Sequence, residues 1–182
     1  MRWIISTLDV PQFDVSQFAP LRQKIADDGI EIRPLPKQIK QDPHWQEALW
    51  ELDWALTQDE PLPYEPQKLT LSEFIKKHIE GPAVIHNAWY VALENGRYVG
   101  MTQLERNESD PTRYSTGFTG VVRSHRRRGL ATALKTYAIE YAQQQGIQII
   151  RTGNEENNPM YALNQQLGFT DLTANIAFEK HL

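Results

Sequence analysis

Residues 121–134, VVRSHRRRGLATAL, place Arg123, His125, Arg126, Arg127 and Arg128 within six positions and follow them at once with Gly129, Leu130 and Ala131. A β-rich run over 113–122 leads into this stretch. Beyond it Leu134, Tyr137, Ala138 and Tyr141 recur at helical spacing up to a stop at Gly146, and IQIIRT (147–152) reads as a buried strand. A helix leaves its first N–H groups unpaired and carries partial positive charge at that end, so a helix entered through arginines is a natural anion site. Gly129 lets backbone approach a ligand with no Cβ in the way, small Ala131 does the same, and Leu130 turns into the core. Arg126, three residues before the glycine, offers phosphate oxygens a planar fork. Each charge-assisted bond contributes roughly 1.5–3 kcal/mol, so a few backbone donors and one arginine hold a pyrophosphate. The G-x-G-x-x-G and G-x-x-x-x-G-K-[ST] patterns are both absent, which excludes the dinucleotide and P-loop versions of such a turn. Arg127 and Arg128 either join the phosphate contacts or are plain solvated charge.

The competing reading is a polyanion-binding patch. It accounts for the arginines and leaves Gly129-Leu130-Ala131 without a purpose. It also meets an acidic chain: 19 Lys and Arg against 23 Asp and Glu give a net charge of −4, where nucleic-acid domains are usually basic over a whole face. No nucleic-acid partner is expected. The 182 residues suit one domain with a sizeable core. The absence of cysteine excludes disulfides, Cys-ligated metals and a thiol nucleophile. No apolar run reaches the length of a membrane span, and the first residues lack a signal-peptide pattern, so a soluble cytoplasmic protein without membrane contact is the expectation.

The remaining elements follow from local signals. RWIISTL (2–8) reads as a strand, and a helix capped by Asp14 or Ser16 runs to Gly29. IEIRPL (30–35) alternates with period two. Residues 42–56 form a helix with Asp42 as cap, Pro43 in the first turn, and Trp45, Leu49, Leu52 and Leu56 in one stripe. Residues 57–69 hold three prolines and three acids, the composition of a binding loop. TLSE (70–73) is a capping box. Residues 88–105 are two strands about Asn95-Gly96. Asn158-Pro159 opens a short helix ending at Gly168, and a last strand lies within 171–180. The order predicts an α/β domain with a mixed, mostly antiparallel sheet and helices on both faces.

Two stretches together resemble one family. Residues 119–135, TGVVRSHRRRGLATALK, are similar to the R/Q-x-x-G-x-G/A acetyl-CoA signature of the GNAT N-acyltransferases, carried here as Arg126, Gly129 and Ala131. Residues 151–169, RTGNEENNPMYALNQQLGF, resemble the second signature of one GNAT branch, through Thr152, Asn154, Asn158, Met160, Asn164, Leu167, Gly168 and Phe169. The resemblance spans roughly 30–182. It leaves 1–29 as an added β–α element or the remnant of a tandem arrangement of two such domains.

The resemblance implies acetyl-CoA as co-substrate. The strand before the loop would splay from its neighbour and pair, at Val121 and Val122, with the pantetheine, Arg123 adding a contact. The pyrophosphate would sit on the N–H groups of residues 127–132, including Arg127, Arg128, Gly129, Leu130, Ala131 and Thr132, with Arg126 nearby. Asn154, Asn158 and Asn164 would lie near the thioester, Asn158 also capping its helix. An N–H near Val121 or Val122 would polarise the carbonyl.

A lysine-like amine is neutral in only about one molecule in two thousand at pH 7, so a base is needed. Glu105, at the end of the preceding strand, is the first candidate, with Glu51 and Asp53 as others. Asp59, Glu60 and Glu65 would favour a small, cationic amine acceptor. Many family members place a tyrosine, as leaving-group acid, where this chain has Asn164, and an amide cannot deliver a proton. Tyr161, one helical turn earlier, is the substitute, or water is. A catalytically silent acyl-CoA-binding module is the alternative. His44, His78, His86 and His181 are too scattered to predict a metal site. The oligomeric state is left open, a homodimer included.

Overall fold

The computed structural model describes residues 2–60 and 64–176. His181 and the end of the expected last strand lie outside the described residues. Seven strands form one open sheet: β1 (Arg2–Asp9), β2 (Ile30–Pro34), β3 (Val84–Glu94), β4 (Arg97–Arg106), β5 (Arg113–Val121), β6 (Ile149–Glu155) and β7 (Thr170–Ile176). Their order is β2-β3-β4-β5-β6-β1-β7. Among the described residues only β5 and β6 pair in parallel, which the helical crossover between them demands. The sheet is mixed and mostly antiparallel, as expected.

The tight turn between β3 and β4 is the Asn95-Gly96 pair, with φ of 50° and 78°. Those positive angles match the twist of a two-residue hairpin. Side chains then alternate across the sheet. Val91, Leu93 and Met101 face α3 (Trp45–Thr57), where Leu49, Leu52 and Leu56 close a core. Ala92 and Val99 face the other way and pack on α5 (Leu130–Gln144) through Leu130, Ala133 and Leu134. A further cluster joins Ala138, Ile139 and Ala142 to Leu8, Ile150 and Phe169. Helices therefore cover both faces.

The N-terminal β–α element is built into this sheet. β1 lies between β6 and β7, paired antiparallel with both. α1 (Ala19–Asp27) follows a 3-10 turn over Val15–Phe18 that Asp14 caps through the Ser16 N–H. It docks on α5, where Arg22 donates to Thr136 and Glu140 at 3.0 and 2.7 Å.

Local readings differ in two places. The helix expected from residue 42 starts at Trp45. Asp42 accepts from the His44 N–H and from the Tyr98 hydroxyl, both at 2.9 Å, and so makes a turn that ties the loop to β4 instead of capping the helix. A short α2 (Leu35–Ile39), opening with proline in its first turn, is hidden in the sequence by Pro34 and Pro36 at the end of β2. The Thr70–Glu73 capping box is present at the start of α4 (Leu71–Phe74), which continues as one π-helical turn over Ile75–Ile79. α6 (Pro159–Gln166) completes the set. Among the described residues, no helix is long and apolar enough to cross a membrane, and no group of acidic and histidine side chains could hold a metal ion.

Candidate active site

The site begins where two parallel strands part. β5 and β6 pair only at Arg113–Ile149, Tyr114–Ile150 and Ser115–Arg151. Beyond that β6 follows β1 to Glu155 and β5 follows β4 to Val121, leaving an open edge on β5 over residues 116–121. The Val122 N–H donates to the Val99 carbonyl at 3.0 Å, so it is spent on β4 and is not free to polarise a substrate carbonyl. Antiparallel alternation turns the Val121 groups the opposite way. Arg126 Nε indeed reaches the Val121 carbonyl at 3.0 Å from that side. Val121, and Thr119 two residues before it, therefore present main chain to the opening; of the two expected pantetheine-facing valines, Val122 does not line it.

The loop after β5 ends in a run of free donors. Ala133 N–H bonds the Gly129 carbonyl, while the N–H groups of residues 127–132 have no backbone acceptor among the described residues. Gly129 is the cap of α5, with φ of 83°, and Arg127 shares the left-handed region at 59°. The reason for glycine at 129 differs from the expected one. A Cβ there would meet Leu21 Cδ1 of α1 at 2.6 Å, so its absence makes room for the N-terminal helix and for the positive φ, not for a ligand.

The cations divide. Arg126 and Arg127 line a cavity of about 610 Å³ with Gly129, Leu130, Ala131 and Thr132. Arg123 and Arg126 both bond the Asp59 carboxylate, Arg123 through Nε at 2.8 Å, and hold it below the usual carboxylate range. His125 faces Glu94 at 3.1 Å. Arg128 turns back toward Asp28 and Glu94, at 3.5 and 3.7 Å, and does not line the cavity. Arg123 and Arg128 are thus placed apart from the expected phosphate contacts, by carboxylates that lay far away in sequence.

This outer cavity continues into an inner one of about 470 Å³ between the parted strands, the two sharing Glu60, Phe118, Thr119, Asn158 and Met160. Asn158 accepts from the Met160 N–H at 2.9 Å and so caps α6 while lining both cavities. Asn154 and Asn164 line the inner cavity, bonded to each other at 2.7 Å. Asn164 is 1% exposed, and its Oδ1 has no partner among the described residues; the Thr116 hydroxyl beside the same cavity is likewise buried and unpartnered among them. Tyr161 is elsewhere. Its hydroxyl donates to Asp171 at 2.7 Å and accepts from Gln165, outside the cavity lining, so α6 turns it away from the leaving-group position. One lining residue has no sequence signal of its own: Lys135, on the buried face of α5 and 3% exposed.

The inner cavity opens, at Glu60, Gly117 and Phe118, into a third of about 320 Å³ beneath α3. Asp53, Glu60, Lys77, His78 and Glu105 are its ionisable lining, besides Tyr64. Burial, reinforced by the Glu60 carboxylate, pushes Asp53 up to about 6. Burial also raises Glu105, whose Oε1 lies 2.7 Å from where a Cβ on residue 117 would stand; glycine at 117 makes room for it. Of the other expected acids, Glu51 faces outward to Lys68 at 2.7 Å, Asp59 serves the arginines, and Glu65 is exposed.

Free N–H groups at a helix start, an open strand edge and an acid-lined pocket form one passage through the sheet. A family model described as Acetyltransferase (GNAT) family matches residues 46–169. The chain belongs to the GNAT acetyltransferase family. Solved structures share the fold at low identity. A GCN5-related N-acetyltransferase from Sphaerobacter thermophilus aligns over 95% of this chain and 49% of its own, with a TM-score of 0.67 and 16% identity. A tandem GNAT protein from the clavulanic acid biosynthesis pathway aligns over 93% and 50%, at 0.61 and 20%. AAC(6')-Iy in complex with a CoA-containing bisubstrate analogue aligns over 84% and 99%, at 0.59 and 16%. The chain spans about half the length of the first two. No curated protein matches it.

Proposed function

We propose that this GNAT chain transfers the acetyl group of acetyl-CoA to a small, cationic amine by direct attack, with both substrates bound together. The observation that carries the reading is the continuity of the passage: six N–H donors with Arg127 and the Asp59-paired Arg126 at one end, the β5 edge in the middle, Asp53 and Glu105 at the other, and Glu60 along its whole length. The donors of residues 127–132 suit a pyrophosphate, and the Val121 and Thr119 main chain suits an amide-bearing arm. An N–H on that edge would polarise the thioester carbonyl. At the far end Asp53, Glu60 and Glu105 would draw in a cationic amine and Asp53 would take its proton, its raised pKa lying nearer the working pH. With Arg123, Arg126, His125 and Arg128 each facing carboxylates, Arg127 is the member of the run left without one among the described residues, which disfavours a polynucleotide.

A thermal melt with saturating acetyl-CoA and desulfo-CoA tests the cradle. Ligand at a hundred times its Kd adds about 2.7 kcal/mol, a rise in Tm of roughly 5–11 °C for this length. An amine screen with thiol detection follows, free of background because the chain has no cysteine. No shift with either ligand would overturn the reading. A shift without thiol release for any amine would favour the silent acyl-CoA-binding module, which the outward Tyr161 and the amide at 164 otherwise support.

A further inference from the structure

The leaving thiolate needs a proton; Asn164 has none to give, and of the two expected substitutes, Tyr161 and water, the structure holds the Tyr161 hydroxyl on Asp171. We propose that the Lys135 ammonium protonates the sulfur of departing coenzyme A. The inference rests on the acyltransfer reading and adds a catalytic residue to it. Lys135 lies in the second turn of α5, below the phosphate cradle, and lines the inner cavity with Asn154 and Asn164. It is almost fully buried, and no ion pair reaches it among the described residues; its nearest aromatic is Phe169, 5.6 Å from Nζ to the ring centroid. Lysines are almost never buried without a counter-charge. The two orphaned polar atoms of the same cavity, Asn164 Oδ1 and Thr116 Oγ1, mark it as built for a polar guest.

The other titratable lining groups do not serve. Arg151 carries a guanidinium in place of an ammonium, Glu155 is held by the Asn157 N–H and amide at 2.9 Å each, and Glu60 sits at the passage into the acceptor pocket. Arg22 of α1, paired with Glu140, and Tyr90 and Tyr114 of β3 and β5 also pack on α5. None of these charges shifts Lys135, whose titration is lowered to about 8 by burial alone. That value is close to the ~8.5 of an alkyl thiol, so the transfer is nearly isoenergetic, and the ammonium form still predominates at pH 7. In the step, the neutral amine nitrogen, its ammonium proton already passed through Asp53 to solvent, bonds to the carbonyl carbon, the C–S bond breaks, and its electron pair stays on sulfur. Lys135 gives sulfur a proton while the attacking nitrogen loses one to Asp53. Exchange with solvent resets both residues.

The test uses coenzyme A itself, whose thiol is the sole one in a complex with a cysteine-free chain. Ultraviolet thiolate absorbance, with the desulfo-CoA complex subtracted, gives the pKa of the bound thiol without any amine acceptor. Beside an ammonium it titrates below free coenzyme A, and in Lys135→Met and Lys135→Gln it moves up by about 1–3 pH units, with coenzyme A affinity and cooperative melting retained. In turnover these variants lose rate with little change in acetyl-CoA KM. A wild-type thiol that titrates at or above the free value, or one unmoved in the variants, overturns the Lys135 role and leaves the acyltransferase reading standing. Absence of coenzyme A binding to the wild type overturns the acyltransferase reading, and the inference with it.

Discussion

Two side chains, the half-buried Asp53 and the buried Lys135, carry charge where the fold would be more stable without it. Asp53 is raised to about 6, so as a base it works only once ionised. The kcat/KM of the wild type should rise as pH increases through about 6 to a plateau that ends near 8, where Lys135 loses the proton it gives to sulfur. Asp53→Asn should lower the plateau by about 10²–10⁴-fold, the usual worth of a general base, and abolish that acid limb; a pH–rate series that keeps the limb would move the base to Glu105. Lys135 has the opposite sign. Its folded pKa, about 8, lies below the unfolded value, so the unfolded state binds more protons between about 8 and 10.5 and stability rises with pH across that window. The charge costs the fold about 3 kcal/mol below pH 8. Lys135→Met should therefore melt higher than wild type by roughly 6–12 °C at pH 7. The gap should shrink toward pH 10.5, as scanning calorimetry at both pH values would show. An unchanged Tm at pH 7 would mean that Lys135 finds a partner in solution.

The start of α5 shows how one residue couples elements distant in sequence. Gly129 combines a left-handed φ with a Cβ position filled by Leu21. Gly129→Ala should destabilise by about 3 kcal/mol, combining about 1–2 for the backbone with about 1–3 for the clash. Leu21→Ala, harmful by itself, should recover part of that loss in the double mutant, a coupling of about 0.5–3 kcal/mol in a cycle of denaturant melts. Strict additivity would return the Gly129 side to the ligand cavity. The sequence announced this element well, because the cation run, the glycine and the apolar spacing are all local signals. It could not announce that Asp59 would take Arg123 and Arg126, or that Arg128 would turn to Asp28 and Glu94. Those partners are 64 to 100 residues away where a hydrogen bond records them. Lys135 is silent for a related reason: nothing in GLATALK distinguishes a buried lysine from a solvated one until β5 and β6 part beside it.

For the whole molecule, the sheet order decides what residues 1–29 are for. Read along the chain they look separable, because the resemblance to acyltransferases begins near residue 30 and a short strand and helix carry no signal of where they dock. In the sheet, β1 stands between β6 and β7, its register running from Trp3–Glu155 to Asp9–Ile149 on one side and from Arg2–Ile176 to Thr7–Thr170 on the other. Its inward side chains, Ile4 and Leu8, are buried, and Leu8 joins the core shared by α5, β6 and Phe169. Deleting 1–29 would strip both neighbours of their ladder bonds, leave β7 without its described partner, and empty the space that Leu21 fills beside Gly129. A chain of residues 30–182 should therefore lack a cooperative melt and any acetyl-CoA-induced shift. The same 30–182 chain mixed with a synthetic 1–29 peptide should regain both, since the missing piece is a strand with a defined slot. Cooperative unfolding of 30–182 alone, with acetyl-CoA still raising its Tm, would show that β6 can hold the open wall of the cleft without β1, and would make the N-terminal element an accessory of the site instead of one of its walls.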